Sequence, residues 1–164
     1  MNCDVAGRII VMRGIQGAGK TFIAQRDFPD AIRLSSSDFP LFWKDEEYEE
    51  NGQIETKKVF TFVPDKLTDS HKWNLKRCEE ALIKGNKLIV IDNTNIGYGD
   101  FSLYVQMARS YRYKVEIINV ICDPDIAFQR NIHNVPHGKI INNARLLDTN
   151  PMPPNINIKT ILNN

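Results

Sequence analysis

A glycine-rich loop near the start of the chain constrains the fold more than any other feature. Gly14–Thr21 reads GIQGAGKT, which fits the pattern G-x-x-x-x-G-K-[ST]. Arg8–Arg13, before the loop, is a short apolar run typical of a strand buried on both faces of a parallel sheet. Lys20–Phe28, after it, is a predicted helix that ends before Pro29. Because strand, loop and helix come in the order that this pattern requires, we expect the loop to bind the phosphates of a nucleoside triphosphate.

The residue types of this loop suit phosphate binding. Glycines let the backbone turn tightly and point its amide hydrogens at the phosphates. Lys20 places a charge against the β- and γ-phosphates, the Thr21 hydroxyl is a ligand for Mg²⁺, and the helix beginning at Lys20 adds the positive end of its dipole. The loop residues expected to bind ATP are Gly14, Ile15, Gln16, Gly17, Ala18, Gly19, Lys20 and Thr21.

Strand-like and helix-like segments alternate along the rest of the chain. This alternation indicates a parallel sheet with right-handed crossovers, and so a three-layer α/β fold of the P-loop NTPase type. The further predicted strands are Ala31–Ser36, Lys87–Asp92 and Lys114–Ile121. The further predicted helices are Asp65–Lys84, Asp100–Tyr111, Asp125–Ile132 and Gly138–Leu147.

Two carboxylates lie at or just after the ends of predicted strands. Asp92 ends the apolar run LIVID, where a Walker B aspartate would hold Mg²⁺ with Thr21. Asp38 comes just after the second predicted strand, where an aspartate can accept the proton of an attacking hydroxyl. Asn93, next to Asp92, is a poor base for activating water, which favours transfer to a hydroxyl over hydrolysis.

A helix near residue 130 resembles a lid. It carries Arg130, is broken at Pro136 and resumes after Gly138. An arginine folding over the phosphates would bind ATP and neutralise charge in the transition state, so Lys20, Asp38 and Arg130 are the expected catalytic residues. His133 and His137 lie on either side of the helix break and lack the H-E-x-x-H pattern, so no metal other than Mg²⁺ is expected.

Cysteine usage and hydropathy favour a cytoplasmic protein in a reducing compartment. Cys3, Cys78 and Cys122 are far apart and odd in number, which argues against a disulfide framework. Asp4 and Arg8 interrupt any early apolar run, and no stretch approaches the ~18 residues that span a membrane. The net charge of +1 gives no overall attraction to nucleic acid, although it leaves room for a local basic patch.

The order of the motifs resembles that of the P-loop polynucleotide 5′-hydroxyl kinases. The motifs are RGIQGAGKT, SSDF, DSHKWNLKRCEEALIKGN, VIDNTNI and RNIHNVPHGKI, over about residues 8–147. The chain is most similar to the eukaryotic domains with a D-N-T-N block and more distantly similar to phage polynucleotide kinase. The resemblance implies an adenylate-kinase-like sheet with a helical lid, the cofactors ATP and Mg²⁺, and transfer of the γ-phosphoryl to the 5′-hydroxyl of a DNA or RNA end.

The resemblance also implies an acceptor-binding set. Asp38 is the general base of that set, and Thr94 and Asn95 belong to the D-N-T-N block. Arg77, in W-N-x-x-R, would contact the acceptor; its alternative is a solvated surface arginine. The chain departs from the phage enzyme at two positions, where Leu41 and Asn134 replace arginines.

The length of 164 residues allows one domain rather than two. We expect a P-loop kinase domain over residues 1–149 and a Pro/Asn-rich tail over residues 150–164, whose end NINIKTIL has the pattern of an edge strand. Lys44–Val63 falls outside the alternation and contains Asn51-Gly52, a turn signal between extended segments, so it is predicted to be an inserted hairpin or loop.

Three functions remain compatible with the sequence. A polynucleotide 5′-kinase would need a channel with basic residues such as Lys57, Lys58, Lys76 and Arg77. A small-molecule kinase for a nucleoside, nucleotide or metabolite would have a narrower pocket closed by the insertion. A nucleotide-dependent binding module would have lost catalysis together with the acceptor arginine.

Overall fold

The computed structural model describes residues 4–164, which form a three-layer α/β fold around a five-stranded parallel sheet. The strands are β1 (Gly7–Arg13), β2 (Ile32–Leu34), β3 (Trp43–Glu50), β4 (Gln53–Phe60), β5 (Leu88–Asp92), β6 (Tyr113–Ile121) and β7 (Asn157–Leu162). The helices are α1 (Lys20–Asp27), α2 (Leu67–Ile83), α3 (Tyr98–Ser110), α4 (Pro124–Arg130) and α5 (His137–Thr149). The main sheet has the order β2-β5-β1-β6-β7, which confirms the predicted fold class.

The apolar strands at the centre of the sheet are buried on both faces. Ile9 and Val11 of β1 pack in the core formed with α2 and α3. Ile10 and Met12, which alternate with them, pack against α1, α4 and α5. All four are fully buried, because helices cover both sides of a parallel sheet.

The second strand is shorter than the predicted range Ala31–Ser36. β2 ends at Leu34, and a 3₁₀ turn over Ser36–Asp38 follows it. The side chain of Ser35 accepts a hydrogen bond from the backbone nitrogen of Ser37. This local bond stabilises the turn in place of further strand pairing, as is common for serine-rich segments.

The inserted segment at residues 44–63 forms an antiparallel hairpin of β3 and β4, whose register runs from Trp43 opposite Phe60 to Glu50 opposite Gln53. Asn51 and Gly52 form its turn with φ of 53° and 78°, as a two-residue hairpin loop requires. The far part of this hairpin is exposed, whereas Trp43 and Phe60 at its base are partly buried.

The proline- and asparagine-rich segment after residue 149 contributes to the sheet. β7 runs parallel to β6 with Glu116 opposite Asn157 and Ile121 opposite Leu162. This edge strand ends at the same side of the sheet as the glycine-rich loop. Within the described residues, none of the helices combines the length and the apolar character needed to cross a membrane.

Candidate active site

The glycine-rich loop between β1 and α1 adopts a conformation that needs its glycines. Gly17 and Gly19 have φ of 80° and 91°, in the left-handed region that other residues rarely adopt. A Cβ at Gly17 would overlap the carbonyl oxygen of Ala127 in α4, and a Cβ at Gly19 would meet the side-chain amide of Asn163. The loop is therefore a tightly enclosed cradle of backbone, as a phosphate site requires.

Lys20 lies inside this cradle. Its side chain is buried, and Nζ donates a 2.7 Å hydrogen bond to the carbonyl oxygen of Ile15. Burial lowers the pKa of Lys20 to about 8, against the opposite effect of Asp92 and Cys122. A buried ammonium group needs an anion nearby, and a bound phosphate would meet this need.

Thr21 and Asp92, the two predicted ligands of Mg²⁺, are in direct contact. The Thr21 hydroxyl donates a 2.6 Å hydrogen bond to Oδ2 of Asp92, which is 5% exposed. A threonine hydroxyl and a carboxylate are oxygen ligands of the kind that Mg²⁺ takes beside nucleotide phosphates. The residues present therefore fit Mg²⁺ next to the cradle.

An arginine with no predicted role joins the two predicted carboxylates. Arg33 of β2 donates from Nη1 to Oδ2 of Asp92 at 2.9 Å and from Nη2 to Oδ2 of Asp38 at 3.1 Å. One guanidinium group therefore holds Asp38 close to Asp92. A lone arginine in a three-residue strand gives no recognisable sequence signal.

The D-N-T-N block is Asp92–Asn95, and its residues bond to the segments that follow the neighbouring strands. The Asn93 side chain accepts a hydrogen bond from the backbone of Ser36, and the Thr94 carbonyl accepts one from the backbone of Gly14. Asn95 has a left-handed φ of 48° and donates from its buried side chain to the carbonyl oxygen of Met12. The block therefore joins the ends of β1, β2 and β5.

The lid arginine points toward the end of the chain in this structure. Arg130 Nη1 donates to the carbonyl oxygen of Asn163 at 3.0 Å, and the side-chain amide of Asn163 donates to the carbonyl oxygen of Ala18 at 2.8 Å. Asn163 therefore links the lid to the phosphate loop. Asn163 belongs to the segment that the sequence predicts to be a tail.

A cleft of about 880 Å³ opens from the phosphate loop toward the hairpin and α5. Gln16, Gly17, Gly19, Lys20, Thr21, Asp92, Thr94 and Arg130 of the predicted set line it. Asp38, Asn95 and Arg77 are absent from its lining, and so are Gly14, Ile15 and Ala18 of the loop. Asp38 is turned toward Arg33, and Asn95 lies in the interior. Arg77 stacks over Trp73 on α2, with its Cζ atom 4.3 Å from the ring centroid.

The walls of the cleft on the side away from the loop are largely apolar. Aromatic and aliphatic side chains from the hairpin base, the start of α2 and the segment between α4 and α5 line it, among them Phe42, Phe60, Phe62, Leu67, Ile132 and Val135. His133 of the lid stacks on Phe60 with ring centroids 4.2 Å apart. The expected basic residues Lys57, Lys58, Lys76 and Arg77 do not line this cleft; the cations that do so are Lys20, Arg130 and Lys139.

Comparison with protein-family models matches residues 9–144 to the family described as AAA domain, AAA_33. The chain belongs to the AAA_33 family of AAA domains. The matched range begins in β1 and ends in α5, so it contains the loop, both strand-end carboxylates and the lid. The chain is a P-loop kinase-like domain.

Similarity to individual proteins agrees with this membership. NEDD4-binding protein 2 of Homo sapiens is 32% identical over 143 residues, which cover 80% of this AAA_33 chain and 7% of that protein. A chain in the structure of the Pnkp1/Rnl/Hen1 RNA repair complex superimposes with a TM-score of 0.66 at 13% identity, covering 90% of this chain and 46% of that one. A sugar kinase from Janibacter gives 0.59 at 13% identity, covering 95% and 85%. At these identities the structural likenesses show the fold.

Proposed function

We propose that the protein transfers the γ-phosphoryl group of ATP, with Mg²⁺, to the 5′-hydroxyl of a nucleic-acid end. The observation that carries the transfer chemistry is the continuous set of contacts from Thr21 through Asp92 and Arg33 to Asp38. It links the phosphate-binding loop to a second carboxylate at one edge of the sheet. A donor site beside a potential base is the arrangement that phosphoryl transfer needs.

In the proposed reaction the acceptor hydroxyl gives its proton to the carboxylate of Asp38 as its oxygen forms a bond to the γ-phosphorus. The bond from that phosphorus to the bridging oxygen breaks, and ADP leaves. Lys20 and the amides of the loop hold the phosphates, and Thr21 and Asp92 would hold Mg²⁺, which neutralises charge on the β- and γ-phosphates.

One rearrangement would complete this site. Asp38 would stay beside Arg33, and the acceptor hydroxyl would approach the third of its side chain that is exposed. Arg130 would exchange the carbonyl oxygen of Asn163 for the phosphates, because a guanidinium group binds phosphate more strongly than a neutral carbonyl. Motion of this kind is usual for kinase lids.

The nucleic-acid acceptor is supported by the order of the motifs, which resembles that of the polynucleotide 5′-hydroxyl kinases. Thr94 and Lys139 line the cleft and are available to the acceptor. In this proposal Asn95 acts indirectly by shaping the block, and Arg77 contacts the strand outside the cleft.

A second candidate is a kinase of small molecules such as nucleosides. It is favoured by the apolar walls, which the hairpin base supplies, and by the acidic character of the hairpin over Trp43–Glu50. Aromatic walls suit a single base or a similar planar group, whereas an acidic ribbon next to the opening repels a polyanion.

A phosphoryl-transfer assay with γ-labelled ATP distinguishes these functions. The acceptors are 5′-hydroxyl oligonucleotides of DNA and RNA, nucleosides, nucleoside monophosphates and simple sugars. Transfer to oligonucleotides with little transfer to nucleosides is the expected result. Transfer to nucleosides or sugars alone would move the assignment to the second candidate. ATP binding without transfer to any acceptor would indicate a nucleotide-dependent binding module.

Asp38→Asn is the diagnostic variant. It should lower the transfer rate about 10²–10⁴-fold while ATP binding is retained, because it removes only proton abstraction. Asp65→Asn, a change of the same kind in the exposed turn before α2, is the matched control. Undiminished transfer by Asp38→Asn would show that another group is the base.

A further inference from the structure

The guanidinium group of Arg33 lies between two carboxylates that the proposed chemistry uses. Its Nη1 is 2.9 Å from Oδ2 of Asp92, and its Nη2 is 3.1 Å from Oδ2 of Asp38. The Asp92 oxygen also accepts the hydrogen bond of Thr21. Arg33 therefore connects the metal-side carboxylate with the carboxylate proposed as the base.

The sheet dictates this placement. Arg33 pairs with Val90 in the parallel register of β2 and β5, and Asp92 lies two residues further along β5 on the same face. Alternation along β2 turns Leu34 to the opposite face, into the core with α2 and α3. Arg33 thus projects to the side covered by α1, where Thr21 is located.

Burial explains why a cation is needed at this position. The Asp92 side chain is 2% exposed and that of Arg33 is 28% exposed, so the pair is shielded from water. Asp38 is 33% exposed and would be repelled by Asp92 without a positive group between them. A planar guanidinium group can donate to two carboxylates at once, which a lysine ammonium does with less directional control.

We infer that Arg33 is a positioning residue for phosphoryl transfer, which holds the Asp38 carboxylate beside the metal-side carboxylate Asp92 and so sets where the acceptor hydroxyl is deprotonated. This inference rests on the proposed function. Arg33 acts through the two aspartates and does not line the cleft. Arg33 also supplies positive charge beside Asp38. The residue three positions after that aspartate, Leu41, is uncharged.

The test is a double-mutant cycle of Arg33→Met and Asp38→Asn, measured with the best acceptor of the panel. Arg33→Met alone should lower kcat about 10- to 100-fold, because misplacing a catalytic group by about 1 Å has effects of that size. The Kd for ATP in the presence of EDTA should not change. In the Asp38→Asn background the same change should have no further effect, because its target is already lost.

Arg33→Lys should recover part of the kcat lost in Arg33→Met, since an ammonium group can pair with one carboxylate at a time. Arg8→Met is the matched control. Arg8 forms an ion pair of 2.7 Å with Glu116 away from the cleft, and its removal should leave kcat unchanged. Losses that multiply in the double variant would overturn the inference, because Arg33 would then act independently of Asp38.

The failure of the proposed function gives a different result. If the unaltered protein phosphorylates no acceptor, the proposed function is wrong, and the contact is then tested by NMR of the Arg33 guanidinium signals. These signals should shift in Asp38→Asn and not in Asp65→Asn. An unchanged Arg33 spectrum in Asp38→Asn would overturn the inference without reference to activity.

Discussion

The side-chain amide of Asn163, the residue after β7, donates a 2.8 Å hydrogen bond to the carbonyl oxygen of Ala18 in the glycine-rich loop. The two residues are 145 positions apart in sequence. The same asparagine accepts Arg130 through its backbone oxygen. The loop and the lid are thus coupled to the edge of the sheet.

Removal of this amide should weaken nucleotide binding. We expect Asn163→Ala to raise the Kd for ATP about two- to tenfold, the effect of losing a hydrogen bond of ~0.5–1.5 kcal/mol. Isothermal titration calorimetry measures it. Asn157→Ala, at the opposite end of β7, is the control and should bind ATP normally. Equal affinity in both variants would show that the loop keeps its shape without Asn163.

The pair of Thr21 and Asp92 predicts a metal-dependent defect. Asp92→Asn keeps the shape of the side chain but loses its charge, so the transfer rate should fall about 10- to 100-fold and need more Mg²⁺ to reach half its maximum. The measurement is the transfer rate as a function of Mg²⁺ concentration. An unchanged Mg²⁺ dependence would exclude Asp92 from the metal site.

Gly17 should not tolerate a side chain. Gly17→Ala combines a φ of 80° with overlap on the carbonyl oxygen of Ala127, so we expect a loss of about 1–3 kcal/mol in the free energy of unfolding and a large loss of ATP affinity. Denaturant unfolding and ATP titration measure both effects. Gly99→Ala, in open space on α3, is the control and should be neutral or stabilise the protein by up to about 1 kcal/mol.

The aromatic wall should affect the acceptor more than ATP. Phe60→Ala removes an aromatic face from the cleft wall, so we expect the KM for an acceptor that stacks there to rise about two- to tenfold, in line with ~0.5–1.5 kcal/mol for an aromatic pair. It also removes the stack on His133 and the edge contact with Trp43. The Kd for ATP should stay the same. Ile54→Ala, exposed at the far end of the hairpin, is the control. A rise in the Kd for ATP alone would place the wall on the donor side.

Burial of His133 predicts a pH dependence of stability. Burial, with a smaller effect of Lys20, lowers the pKa of His133 against the opposite effect of Asp38 and Asp92. The unfolded chain then binds protons more readily than the folded one, so the free energy of unfolding should fall as pH drops below about 6.5 toward the lowered pKa. Urea unfolding across this range measures it. His133→Gln should show a weaker fall, and an identical pH profile would contradict the prediction.

Local sequence was enough to predict the glycine-rich loop and the strand and helix on either side of it. The loop from Gly14 to Thr21 depends on glycine conformation and on one strand and one helix next to it, all within 20 residues. Asp92 was predictable because the carboxyl ends of parallel strands meet at one edge of the sheet. The same rule predicted that Asp38 would lie near it, and Arg33 now joins them.

The lining of the rest of the cleft was less predictable. The four basic residues expected to form a channel lie on the hairpin and on α2 outside the cleft, and aromatic residues of the hairpin base line it instead. Asn95 belonged to a motif, but its side chain is used in the interior to hold the end of β1. A sequence motif indicates which residues belong to a site. The direction in which each side chain points depends on backbone conformation and packing.

The sequence by itself determined the α/β fold, the phosphate loop and the order of the motifs, because each depends on neighbouring residues and on hydrophobic periodicity. The tertiary structure decided which distant residues complete the site. Arg33 reaches two carboxylates through the register of β2 with β5, and Asn163 reaches the loop because β7 pairs with β6. Such contacts join residues far apart in the chain, and strand pairing and burial select them.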